Sequence, residues 1–157
     1  MTIPTPTRAQ VLDALYALID CGDRVVPGPG ISLGFKSSYR RLPPYEQLLP
    51  EVQPAIIQTL YGEQNAHEGR GLDVKRTYHV QWTIFARCPD MQTSGDTVLD
   101  PLLDAIMFTA LAPDPGENYC SLGGLVNRVW IEGRIERDPG DLTNQISCAI
   151  PIMVLVP

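Results

Sequence analysis

Residues able to do chemistry are few in this chain of 157, and their spacing keeps them apart. The four cysteines, Cys21, Cys88, Cys120 and Cys148, stand 67, 32 and 28 residues from one another. None forms the C-x-x-C pair of a zinc or dithiol site, so four reduced, mostly buried apolar side chains are expected. His67 and His79 are the only histidines. Neither stands in a local motif with a nucleophile or a metal partner, and a Ser-His-Asp arrangement would have to be assembled in space. Asp100 with Asp104, and Asp138 with Asp141, are spaced like carboxylate pairs for acid–base work. Asp100 reads as a helix N-cap and Asp138-Pro-Gly-Asp141 as a turn, which accounts for three of the four. Gly28-Pro-Gly30-Ile-Ser-Leu-Gly34 approximates a dinucleotide loop, but its third glycine comes one residue late, Pro29 removes an N–H, and no helical pattern follows. Cys120-Ser-Leu-Gly-Gly124 lacks the G-x-S-x-G elbow. No catalytic residue, metal site or cofactor is expected.

Composition points the same way. A chain of this length fits one domain, spanning 1–157, and can bury about 68–70% of its unfolded surface without a disulfide or metal. Hydrophobic residues make up 44% and charged residues 19%, which excludes a disordered acidic tail. The net charge of −6 argues against a nucleic-acid clamp, whose affinity comes from Lys and Arg displacing counterions. That charge is unevenly placed: residues 1–93 hold nine basic and nine acidic side chains, residues 94–157 three and nine. No apolar run approaches a membrane span, and the start, Met1-Thr-Ile-Pro, lacks the charged and apolar regions of a signal peptide. A soluble intracellular domain is the expectation.

The elements follow from periodicity. Thr7 with Gln10 makes a capping box, and Val11, Leu12, Leu15, Leu18 and Ile19 recur at helical spacing up to Gly22, placed for a left-handed C-cap. Residues 23–54 carry six prolines and no sustained period, yet Ile31, Leu33, Phe35, Tyr39 and Leu42 are too apolar for a free linker. An extended arm that packs on something, another subunit included, is expected there. Ala55 to Tyr61 is a strand by composition. Tyr78 to Ala86 is a clearer one, with Tyr78, Val80, Trp82, Ile84 and Ala86 on one face. The intervening residues 62–76 exceed an ordinary hairpin loop and are expected to project. Asp100 and Pro101 open a second helix, with turns starting as early as Ser94 to Asp96; its stripe is Leu102, Leu103, Ile106, Met107, Ala110 and Leu111, and Pro113 ends it. Val126 to Arg137 alternates, with Val129 and Ile131 on one face. Ile146 to Val156 alternates again, Pro151 marking an edge or bulge. The predicted fold is α+β: an antiparallel sheet of about four strands flanked by two main helices, in the order α-(long arm)-β-β-α-β-β. Its expected core includes Leu15, Ile57, Val80, Trp82, Ile84, Leu103, Ile106, Val129, Ile131, Ile150 and Ile152.

Four segments in this order resemble the phage tail terminator (tail completion) family of the minor tail protein U type. They are Pro54-Ala-Ile-Ile57 after a Pro-rich arm with Arg40 and Arg41; the Trp82 strand after a charged loop; Leu99-Asp-Pro-Leu-Leu-Asp-Ala-Ile106; and Ser121-Leu-Gly-Gly-Leu-Val126, leading through Ile131-Glu-Gly133 into Ala149-Ile-Pro-Ile152. They span most of residues 54–157. No one motif is specific; order and spacing carry the resemblance. The arm is richer in proline than the family pattern.

The resemblance implies a non-enzymatic virion protein of the tail or neck, assembled in the host cytoplasm as a homo-hexameric ring. Such a ring caps the tail tube, ends its polymerisation and docks to the head–tail connector or head-closure protein. Its partners are then other copies of itself, the tail tube protein and the connector; DNA crosses the lumen without specific binding, and no membrane or cofactor is involved. Heterologous contacts that close a ring need segments reaching a neighbour. The 23–54 arm and the 62–76 hairpin supply such reach, with Arg40, Arg41, Tyr45, Glu63, His67, Glu68, Arg70, Lys75 and Arg76 as candidate subunit or partner contacts. Two other readings compete: another neck adaptor, such as a head-closure or gateway subunit, and a small enzyme or ligand-binding domain, which would need a pocket with convergent polar groups.

Overall fold

The computed structural model of the chain describes residues 5–23, 25–43, 50–67, 74–90, 92–138 and 145–157. Tyr45, Glu68, Arg70 and Asp141 lie outside these residues. The elements are α1 (Arg8–Ala17), α2 (Pro29–Leu33), β1 (Ser37–Tyr39), a 3₁₀ turn (Pro50–Val52), β2 (Ala55–His67), β3 (Val74–Arg87), α3 (Gly95–Ala105) running into a π-helical turn (Ile106–Ala110), β4 (Arg128–Ile131), β5 (Glu136–Asp138) and β6 (Gln145–Val156). The α+β class holds, with six strands rather than about four.

The sheet order is β1-β2-β3-β6-β4, with β5 also on β6. All pairings are antiparallel except β1 with β2. Strands β3 and β6 form its centre, and their alternation is as the sequence predicts. Tyr78, Val80, Trp82, Ile84 and Ala86 are buried on one face beside Ile146, Cys148, Ile150, Ile152 and Val154. Helix α1 lays Val11, Leu15 and Tyr16 on that face, and α3 adds Leu99, Leu102 and Leu103, with Ile106 from the π turn. Of the expected core, Ile131 is half-buried and the rest are buried.

Thr7 and Gln10 close the capping box reciprocally, Thr7 Oγ1 accepting from Gln10 N at 3.2 Å and Gln10 Oε1 from Thr7 N at 2.8 Å. The helix ends at Leu18, not at Gly22; Gly22, at φ +67°, opens a tight turn instead. The second main helix starts at Gly95, six residues before Pro101, because Ser94 supplies a cap and Leu99 extends the buried stripe. Asp100 therefore sits inside the helix and is not its cap.

Three further expectations are corrected. The 23–54 arm, in its described residues, folds onto its own chain. Leu33 and Phe35 enter the core, β1 pairs parallel with Ala55–Ile57, and Ser37 Oγ donates to Val52 O at 2.6 Å. Residues 62–76 are not a loop throughout, since the β2–β3 ladder runs on to His67 and Val74. Val126 to Arg137 is two strands, not one, broken at Gly133 (φ +98°).

That break answers to Pro151. Strand β6 is central, neither an edge nor bulged at this point, but β4 ends opposite Ile152 and β5 begins opposite Ala149. Pro151 O accepts from Glu132 N at 3.2 Å, so the side of Pro151 that lacks an N–H faces the interruption.

Candidate interface surfaces

Three surfaces emerge, and of the described sequence-predicted contact residues four fall on the first while Arg40 and Arg41 fall on none. The first is the far end of the β2–β3 ribbon. Asn65 pairs with Arg76, Ala66 with Lys75 and His67 with Val74, which brings His67, Lys75 and Arg76 together at one end of the sheet. Strand β6 stops pairing at Arg76, so the last two rungs of β3 are held by β2 alone. At the base of this ribbon Arg8 grips Glu63 with two hydrogen bonds of 2.9 Å, tying the start of α1 to β2. Beyond Ile57 no described strand pairs with the outer edge of β2, and Leu60 and Tyr61 are exposed there, beside an irregularity in the ladder.

Arg40 and Arg41 follow β1 and lie elsewhere. Because β1 runs parallel to Ala55–Ile57, the tip at His67 is roughly 25 Å further along at about 3.3 Å per residue. Arg40 is engaged within its own chain: it pairs with Asp13 and stacks over the Tyr16 ring at 4.5 Å. Tyr16 in turn donates to Ser38 Oγ at 2.9 Å, and burial pushes its phenol pKa up. Arg41 is exposed.

The second surface is the sheet face away from the helices. Among the described residues no helix packs on it. Its positions on β3 are Thr77, His79, Gln81, Thr83 and Phe85; on β6 they are Ser147, Ala149, Pro151, Met153 and Leu155. These central positions are half-buried and none is Lys, Arg, Asp or Glu; the charges of this face, Lys75 and Arg87 near the ends of β3 and Arg128, Glu136 and Asp138 on β4 and β5, lie around them. A solvated sheet face ordinarily alternates charged residues outward; depletion of charge marks the centre of interfaces.

The third was missed by sequence reasoning. A groove of about 290 Å³ opens between the π turn and β4, lined by Met107, Leu111, Tyr119, Arg128, Trp130 and Ile131 among others. Met107 belongs to the helical stripe by spacing, yet it is 44% exposed, and Phe108 beside it is 72% exposed. The π turn explains this: Leu111 N donates to Ile106 O, five residues back, and the added residue swings Met107 out of the buried row. The one sequence signal was Phe108, a large aromatic off the apolar stripe. Trp130 is flanked by opposite charges, Arg128 over its ring at 5.5 Å and Glu132 accepting from its indole N–H.

The groove holds little for catalysis. Its ionisable lining residues are Tyr119, Cys120 and Arg128, and burial raises the Cys120 thiol. His79 pairs with Gly62 while His67 ends the strand, about 17 Å away at strand rise. Asp100 is held by Arg137 at 3.0 Å, and Asp96 by the same guanidinium at 2.7 Å. Among the described residues no group of three His, Cys, Asp or Glu side chains is placed to hold a metal, and no helix is long and apolar enough to cross a membrane. Burial raises the Cys21 thiol, and that of Cys148 to about 11.

No protein-family model matches the chain, and no curated protein matches it in sequence. In fold it is similar to a chain of a solved structure described as the virion of a native gene transfer agent particle. The match covers 92% of each chain with a TM-score of 0.55 at 13% identity.

Proposed function

We propose that this chain is a structural virion assembly protein. Six copies form a ring that caps a tail tube, stops its polymerisation and presents the docking surface for the head connector, with DNA passing through the centre. The observation that carries this reading is the likeness, along nearly the whole length of both chains, to a component of a gene transfer agent virion. The segments quoted above that resemble tail terminators support it independently. So do the uncharged centre of the open sheet face and the edge of β2 beyond Ile57, which no described strand pairs, surfaces suited to covering by other chains rather than to holding a substrate.

Charge placement fits a channel. The acidic half contributes Asp104 on α3 and Glu132, Glu136 and Asp138 around β4 and β5, besides Asp96 and Asp100, which Arg137 pairs. Six copies would pool about −36 formal charges, and an acidic lumen repels the DNA backbone instead of gripping it.

Negative-stain microscopy of the purified protein, alone and mixed with tail tubes, tests the proposal. Closed six-fold rings, or tubes blunted at one end, are expected. Rings that bind an isolated connector but leave tube length unlimited would instead assign the chain to a neck-adaptor position. Monomers that ignore both tubes and connectors would end the reading.

A further inference from the structure

Strand β5 carries three charged residues, Glu136, Arg137 and Asp138, and all three are exposed. It pairs with β6 opposite Ala149, Cys148 and Ser147, and no described strand pairs with its outer side. The ladder is interrupted before it, since β4 ends opposite Ile152 and Pro151 has no N–H to offer. Gly133, at φ +98°, turns the chain within that gap. Strand β5 can therefore leave β6 without disturbing β4.

Two side chains turn inward from this segment. Ile135 is half-buried against the core. Arg137 crosses to α3, its guanidinium meeting Asp96 Oδ1 at 2.7 Å and Asp100 Oδ1 at 3.0 Å. Those carboxylates stand one helical turn apart, so a single planar fork spans both. Glu136 makes its ion pair within the segment, with Arg134 at 3.6 Å. Directly opposite Arg137 lies Cys148, 2% exposed, on the same face of the sheet. Burial raises that thiol's pKa and the Arg137 charge lowers it, which places the guanidinium close by.

We propose that β5 is a strap and Arg137 its latch. When the guanidinium leaves Asp96 and Asp100, residues 134–138 swing off β6 about Gly133 and uncover Cys148 and the β6 edge at Ser147 to Ala149. A segment with one half-buried apolar side chain and exposed residues belongs to the low-stability end of local opening. Its ionic tie is open to water, with Arg137 38% exposed and the two aspartates 71% and 55%. Pairs of this kind are screened by salt and contribute little when exposed. Opening turns this stretch of β6 into a sheet edge whose N–H and C=O groups can accept a strand of another chain. Ionic strength, or a charged partner competing for the latch, thus sets when that edge is offered. The device operates within one chain and does not depend on the ring reading.

Thiol labelling of the full chain with iodoacetamide, resolved by peptide mass spectrometry, tests it. Cys21 and Cys120, each 4% exposed, serve as internal references for wider unfolding. Raising NaCl from about 0.1 M to about 1 M is expected to speed labelling of Cys148 roughly three- to tenfold and to leave both references unchanged. Arg137→Gln is expected to give the same gain at low salt and to lose the salt response. Arg137→Lys, which keeps the charge but lacks the fork, should fall between. Amide exchange of residues 136–138 and 147–149 should follow the thiol, while that of the β3 core should not. Three thiols accelerating together would make Arg137 a staple of the whole fold and overturn the strap. A Cys148 rate indifferent to both salt and Arg137→Gln would overturn the latch. If Arg137→Gln melts far below the wild type, the wild-type salt series decides alone, and Cys148 must still part from Cys21 and Cys120.

Discussion

Trp82 and Gln58 are joined across β3 and β2 by a buried hydrogen bond, the indole Nε1 donating to Gln58 Oε1 at 3.0 Å. Gln58 passes the connection on, its Nε2 donating to Leu12 O of α1 at 3.1 Å. One side chain that is 5% exposed thus satisfies the largest core residue and fixes the helix over the sheet.

The costs of breaking this chain differ by mechanism. Trp82→Ala empties a fully buried site and is expected to destabilise by about 3–5 kcal/mol. Gln58→Leu keeps the volume but strands a buried indole N–H, costing about 1–3 kcal/mol. In urea titrations Trp82→Phe combined with Gln58→Leu is expected to cost less than the two single changes added together. Strict additivity would show that the bond contributes nothing.

Pro151 sits in the middle of a central strand, where proline is ordinarily excluded, because its missing donor faces the gap at Gly133. Pro151→Ala is therefore expected to leave the fold intact and to cost only about 0.4–1 kcal/mol, through the freer unfolded chain. Met153 points its backbone to the same side but lies opposite Trp130 within β4, so Met153→Pro removes a ladder donor and should be far more damaging. Equal melting temperatures for the two variants would contradict this assignment.

What the sequence made legible was what short-range physics controls. The capping box at Thr7, the two-residue period of β3 and β6, and the apolar stripe of α3 are properties of neighbouring residues. Strand β1 was illegible because Ser37-Ser-Tyr39 has no pattern of its own; it is a strand only because Ala55–Ile57 lies alongside. Strand β5 is three charged residues whose pairing with β6 begins past a glycine break. The groove was beyond reach for a different reason: its walls, Met107 and Trp130, come from separate elements, and a π turn shifts the helical phase at the position where spacing alone assigns Met107 inward. His67, Lys75 and Arg76 were readable as lying between two strands but not as rungs of the ladder, because their charge hides the two-residue period.

The Val25–Val26 turn should respond to pH with a defined sign. The N–H groups of Val26 and Val25 hold the Asp23 carboxyl below the ordinary aspartate value of 3.8. A carboxylate depressed by folding adds stability above its unfolded value and loses it as pH falls through the folded one. The turn should thus be unchanged from neutral pH to about pH 4 and open only below. Amide shifts of Val25 and Val26 followed by NMR should move together in that range. Asp23→Ala should speed exchange of both amides without a global change in melting, and a transition centred above pH 5 would contradict the assignment.

The ribbon end is exposed and contributes little to the core, so it can be removed without unfolding the sheet. Gln64 pairs with Thr77, and replacing residues 65–76 by Asn-Gly would rejoin the strands through a two-residue turn suited to their twist. The excised residues include His67, Lys75 and Arg76, together with Glu68 and Arg70. Those kept include Glu63, whose clamp on Arg8 holds α1, and Tyr78, where the buried row begins. Loss of the Arg76–Val156 rung should lower the melting temperature by no more than a few degrees. If His67, Lys75 and Arg76 serve assembly, the shortened protein stays folded but fails to form rings or to cap tubes. A shortened protein that melts and assembles like the wild type would free these residues from any part in assembly.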